Sequence, residues 1–142
     1  MAAETYSEPG SVTAQLGIGP YWGYGGGANL QAGIDGGLAQ IPIAPTFPLD
    51  LGVSARVGLF TPQWLYASVF GTAHYSWKAL NPRWDWVNHL ETYIGLGIQF
   101  LPGLSLAGYL GTDYHFDSHW AIYLEASAFD YGGTVIGASY KF

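Results

Sequence analysis

Sparse charge, the absence of any long apolar run and repeated two-residue alternation together predict an all-β protein: an eight-stranded antiparallel up-and-down transmembrane β-barrel. The 142-residue chain suits a single domain. Charged residues make up 10% and hydrophobic residues 49%, with 17% aromatics and 21 glycines. A soluble domain carries about a quarter charged residues, and disorder requires more charge and fewer aromatics. No stretch reaches the roughly 18 consecutive apolar residues that a membrane-crossing helix needs. A closed barrel is the other way to satisfy every backbone group in lipid. The net charge of −6 argues against a nucleic-acid partner. Without cysteine there is no disulfide, thiolate zinc site or thiol nucleophile.

Residues 1–10 read as a short polar N-terminal tail outside the sheet, and residues 11–142 as the barrel domain. The first two strands, residues 11–24 and 28–38, are separated by Gly25-Gly26-Gly27. The third, residues 49–60, places Leu49, Leu51, Val53, Ala55, Val57 and Leu59 on one parity. Asp50, Gly52, Ser54, Arg56 and Gly58 fall on the other. A helix would scatter these residues around its circumference; a strand with one face in lipid alternates them. The fourth strand, residues 64–76, follows Thr61-Pro62. In the fifth, residues 88–100, Ile94, Leu96 and Ile98 alternate with Glu91, Tyr93, Gly95, Gly97 and Gln99. Residues 104–116, 120–129 and 134–142 complete the set after Leu101-Pro102-Gly103, Asp117-Ser118 and Gly132-Gly133. Longer connections are expected around residues 40–48 and 77–86.

Charge placement fixes which parity faces inwards. Asp35, Asp50, Arg56, Glu91, Asp113, Glu125 and Lys141 lie on the small or polar parity, and the other seven charges fall in the tail, turns or loops. The lipid-facing row then includes Leu51, Val53, Val57, Ile94, Leu96, Ile98, Leu106, Leu110, Ile122, Leu124 and Ile136. A charge on that face costs roughly 2–4 kcal/mol at the midplane. Trp22, Trp64, Trp77, Trp84, Trp86, Trp120 and Tyr140 cluster near strand ends, which predicts two aromatic girdles at headgroup level.

The last segment, Thr134 to Phe142, resembles the closing strand of bacterial outer-membrane β-barrels in its Ile136, Ala138, Tyr140 and Phe142 alternation. The resemblance extends to small eight-stranded members such as the outer-membrane protein A transmembrane domain. It implies an outer-membrane location, both termini in the periplasm, and Tyr140 and Phe142 read as an assembly signal by the barrel assembly machinery. The chain start, Met1-Ala2-Ala3-Glu4, has no apolar signal region, so a mature sequence with an added initiator Met is expected.

Eight strands enclose an interior just wide enough for side chains to fill. Inward Gln15, Gln31, Tyr66, Phe70, Tyr93, Gln99, Tyr109 and Tyr123 are expected to pack over inward glycines. Arg56 and Lys141 are expected to sit in carboxylate clusters, since buried charges persist only when paired. A largely plugged, polar lumen is the principal reading and a narrow ion or small-solute pore the alternative.

Two constellations bear on chemistry. His74-Tyr75-Ser76 with Glu91 is similar to the His-x-Ser…Glu arrangement of lipid A 3-O-deacylase, another eight-stranded barrel. That resemblance implies an acyl-ester hydrolase with an activated serine. Here the residues lie mid-chain, Trp77 replaces the family's asparagine, and the parity directs His74 and Ser76 into the lumen. The run from Asp113 to His119 offers carboxylate and imidazole groups, but its loose spacing reads as a polar interfacial turn. No metal site, cofactor or enzymatic activity is therefore expected; the partners are the lipid bilayer (or detergent) and the assembly machinery, with the chain a monomer. With periplasmic termini, the outward connections near residues 25–27, 61–63, 101–103 and 131–133 are all short. Outer-membrane barrels commonly carry their longer loops outside, so adhesion or phage reception through such loops finds little support.

Overall fold

The alternating segments fold into strands that close on themselves as a cylinder. The computed structural model describes residues 5–21, 27–60, 64–80, 83–101, 103–129 and 133–142. Its strands are β1 (Val12–Tyr21), β2 (Gly27–Ala44), β3 (Phe47–Phe60), β4 (Trp64–Ser76), β5 (Leu90–Leu101), β6 (Ser105–His115), β7 (Trp120–Phe129) and β8 (Gly133–Lys141). Each pairs antiparallel with its sequence neighbour, and β8 pairs with β1 to close the cylinder. Among the described residues no helix is long and apolar enough to cross a membrane.

The register sets the barrel's tilt. Starting inward at Ser76 on β4, the paired residues run Glu91, Asp113, Tyr123, Gly137, Gly17, Gln31 and Gly58 around the wall. The walk returns to β4 at Tyr66, ten residues before its start. Such a stagger across eight strands tilts them by about 40° from the axis.

The interior of this cylinder is polar and aromatic, and its exterior is aliphatic. Gln15, Gln31, Tyr66, Phe70, Tyr93, Gln99, Tyr109 and Tyr123 are all buried. Val53, Val57, Ile94, Leu96, Ile98, Leu106, Leu110, Ile122, Leu124 and Ile136 are exposed around the outside, while Leu51 is half-buried there. A water-soluble monomer rarely exposes a contiguous apolar patch beyond a few hundred Å²; here the patch is a belt.

The expected connection at residues 40–48 is instead strand. β2 and β3 continue as a two-stranded ribbon to the Pro45-Thr46 turn, with register shifts after Gly37 and Pro42. Pro42 and Pro48 face each other there. The missing N–H groups are tolerated because the ribbon projects past its other neighbours: β1 pairs only from Gly36 and β4 only from Asp50. The second long connection contains two 3-10 turns, Trp77–Leu80 and Asp85–His89. In the β6–β7 turn, Asp117 Oδ1 accepts from the backbone N–H of His119 (2.7 Å) and Trp120 (2.8 Å), and these bonds lower the carboxyl's pKa. The expected turns at Gly25-Gly26, Thr61-Pro62, Pro102 and Gly132 lie outside the described residues.

Candidate functional site: a polar lumen capped at one end

Across the middle of the lumen, Arg56 from β3 draws two acids together. Its Nη1 donates to Asp35 Oδ1 at 2.7 Å, its Nη2 to Glu125 Oε1 at 3.3 Å, and its Cζ lies 4.7 Å from the Tyr109 ring centroid. Tyr93 OH donates to Glu125 Oε1 (3.0 Å) and Gln31 Nε2 to Oε2 (2.9 Å), so both carboxylate oxygens are held. Tyr66 OH lies 3.0 Å from Gln31 Oε1 and 3.1 Å from Asn29 Oδ1, and Ser54 shares a 2.6 Å hydrogen bond with Tyr109 OH. The glycines make room for these rings. A Cβ on Gly58 would strike Tyr66, on Gly95 Tyr109 and on Gly111 Tyr93, each the glycine's direct cross-strand partner.

The other acidic cluster lies at the end where the termini meet. His74 from β4, Glu91 from β5, and Asp113 and His115 from β6 are all buried. His74 Nδ1 and His115 Nε2 each lie 3.6 Å from Glu91 Oε1, and His115 Nε2 lies 3.8 Å from Asp113 Oδ2. Asp50 is buried at the same end, accepting from Gln40 Nε2 at 2.9 Å.

Residues 5–10, read from sequence only as a tail, fold back over this end together with Ser11. The bond from Ser11 N–H to Glu8 O (3.0 Å) and a φ of +88° at Gly10 give Glu8-Pro9-Gly10-Ser11 the pattern of a type II turn. Tyr6 stacks on His115 with ring centroids 3.8 Å apart, and Lys78 Nζ sits 4.1 Å from the Tyr6 centroid. Tyr6 N–H donates to Ser76 Oγ (3.0 Å) and Ser7 Oγ to Glu91 Oε2 (2.6 Å). Lys141, half-buried at the rim, donates to both carboxylate oxygens of Glu8 at 2.7 and 2.8 Å. Its carboxylate partner thus comes from the tail rather than from the strand network. The Pro9-Gly10 dipeptide was the sequence signal for this reversal.

The hydrolase-like residues do not form a relay. His74 and Ser76 face the interior, the Tyr6 backbone N–H donates to Ser76 Oγ, and Ser7 Oγ donates to Glu91 Oε2. Ser7 Oγ lies 3.3 Å from His74 Nδ1, but that is the same nitrogen that faces Glu91, whereas in a triad the serine and the acid bond opposite ring nitrogens. His119, at the end of the run beginning at Asp113, turns outwards and stacks on Tyr140. Trp84, Trp86, Trp120 and Phe142 are exposed at the terminal end, with Trp77 and Tyr140 half-buried among them. Trp22 lies outside the described residues, as does the side chain of Trp64, so only one girdle can be described.

Two small voids lie among the described lumen residues. A void of about 30 Å³ lies beside Arg56, Tyr66 and Gln99, and another of about 10 Å³ lies between the tail and His74, Glu91, Asp113 and His115. These hold one or two water molecules each at most.

A closed eight-stranded antiparallel cylinder with a polar, side-chain-filled lumen and an aliphatic exterior defines the class: the fold is that of a small transmembrane β-barrel. A designed transmembrane β-barrel is similar over 100% of both chains, with a TM-score of 0.63 and 18% identity. The attachment invasion locus protein Ail of Yersinia pestis, solved with the heparin analogue sucrose octasulfate, matches with a TM-score of 0.53 and 13% identity over 94% of this chain and 99% of its own. The outer-membrane protein OprG of Pseudomonas aeruginosa gives 0.53 and 13% over 98% and 99%. No protein-family model matches the sequence, and no curated protein sequence matches it.

Proposed function

We propose that the chain is an integral outer-membrane barrel with a plugged lumen, serving as a structural or anchoring module rather than as an enzyme or a channel. The observation that carries this reading is the lumen's filling: among the described residues the Arg56–Asp35–Glu125 network and its tyrosines reach across the lumen, beside voids of about 30 and 10 Å³. The aliphatic belt supports residence in a bilayer, and the solved barrels of similar fold support the outer membrane as its location. Both termini are assigned to the periplasm, where the assembly machinery would meet Tyr140 and Phe142; the chain acts as a monomer.

The competing reading is a narrow pore, favoured by the two small voids on either side of the Arg56 layer. Planar-bilayer recording separates the two. The plug reading predicts a silent membrane after insertion, and also with Tyr6→Ala, because that substitution loosens the cap but leaves the Arg56 layer closed. Steady ion-selective openings from the unmodified chain would overturn it. For the hydrolase reading, loss of an acyl chain from lipid A that depends on Ser76 would be the supporting result.

A further inference from the structure

The geometry points to a divalent transition-metal site inside the capped end of the barrel, with His115, Asp113 and Glu91 as its protein ligands. Three observations carry it. First, the donor set has the right chemistry and spacing. One imidazole and two carboxylates suit ions such as zinc, manganese or iron(II), and these three residues present ligand atoms all within 4.8 Å of one another. Ligands about 2.1 Å from a tetrahedral zinc stand about 3.4 Å apart. His115 Nε2 lies 3.6 Å from Glu91 Oε1 and 3.8 Å from Asp113 Oδ2, so these two separations need contract by only a few tenths of an ångström.

Second, the donors are buried and two of their atoms have no hydrogen-bond partner among the described residues. Asp113 is 4% exposed and His115 7%, yet Asp113 Oδ1 and His115 Nε2 are both unsatisfied. Leaving such atoms unpaired in a low-dielectric interior is costly. The void of about 10 Å³ abuts these same groups and is about the size of one water or ion.

Third, the acids at this end are faced by imidazoles rather than by Arg or Lys, His74 and His115 against Glu91 and His115 against Asp113. Asp50, Glu91 and Asp113 are buried together, and among the described residues no Arg or Lys forms an ion pair with any of them. The lysines nearby are engaged at the rim, Lys141 with Glu8 and Lys78 over the Tyr6 ring. A divalent cation between Glu91 and Asp113 offsets two of these charges, and cross-strand pairing holds those residues opposite each other. His74, 3.6 Å from Glu91 Oε1 on the other side, orients that carboxylate or supplies a further donor. The Tyr6 and Ser7 cap shields the ion from bulk water.

The test is zinc titration of the full chain folded in detergent and stripped of metal, followed by calorimetry, with cobalt(II) absorption as an independent probe. One equivalent of zinc should bind, and cobalt should give the bands of a four- or five-coordinate imidazole–carboxylate site. Asp113→Asn and His115→Gln should each weaken zinc at least ~10-fold, while His119→Gln, outside the cluster and stacked on Tyr140, should leave it unchanged. Equal weakening by His119→Gln, or no saturable equivalent in the unmodified chain, would overturn the assignment. If the cluster variants fail to fold by circular dichroism, the cobalt spectrum of the unmodified chain decides, and a spectrum that stays that of the aqueous ion refutes the site.

Discussion

Arg56 shows how much one buried side chain can organise. It is 2% exposed, it holds Asp35 and Glu125, and its aliphatic stem fits against Gly33, where a Cβ would meet Arg56 Cδ at 2.7 Å. Removing one partner from a buried ion network leaves uncompensated charge and typically costs 3–5 kcal/mol. Arg56→Met keeps most of the stem but strands both acids. It should destabilise the folded barrel by about 3–5 kcal/mol, measured by denaturant unfolding in detergent; a loss below about 1 kcal/mol would mean that the acids are neutralised without it. That Arg56, Asp35 and Glu125 point inwards was readable from alternation alone. That they meet was not, because they come from three strands and the contact depends on a ring-wide stagger that no single segment encodes. The same holds for Glu91 beside Asp113 and His115: two of these lie two residues apart in the sequence, but the third is brought in by the β5–β6 register.

At the scale of the strand, glycine and tyrosine act as a pair. Gly58, Gly95 and Gly111 each lie beneath the ring of the tyrosine directly opposite, which lets a narrow barrel hold large hydrogen-bonding side chains. Gly97 and Gly137 play a different part. A Cβ there would collide with the backbone of Val69 and Phe70, or of Leu16 and Gly17, so the strands themselves would have to separate. Overpacking a tight core costs about 1–3 kcal/mol. Gly97→Ala and Gly137→Ala should fall at the upper end of that range and Gly58→Ala at the lower, since a tyrosine ring can swing where a paired strand cannot. Equal costs in the same unfolding assay would contradict this division. Alternation located all eight strands, yet it missed the ribbon from Ala39 to Pro48. Prolines at 42, 45 and 48 read as loop, and only the ribbon's projection beyond the paired wall makes them tolerable as strand.

At the scale of the molecule, the distribution of chemistry is that of a soluble protein turned inside out. Within the closed wall the polar half of the described strands is enclosed and the aliphatic half forms the outer surface, with grooves of about 670 and 410 Å³ lined by residues such as Ile34, Val53, Val69 and Ile98 or Leu49, Ile94 and Leu110. Acyl chains are the solvent that such grooves suit. The N-terminal cap belongs to this scale too. Its sequence is polar and short, and its role emerges only once the cylinder exists to receive it.

The most direct measurement uses the absence of native cysteine. Nitroxide labels on single cysteines at Val53, Ile94 and Leu124, in protein folded into lipid vesicles, report collisions with oxygen and with a water-soluble nickel complex. All three should be accessible to oxygen and protected from nickel. Free collision with nickel at these positions would contradict the assignment of the aliphatic face to the bilayer.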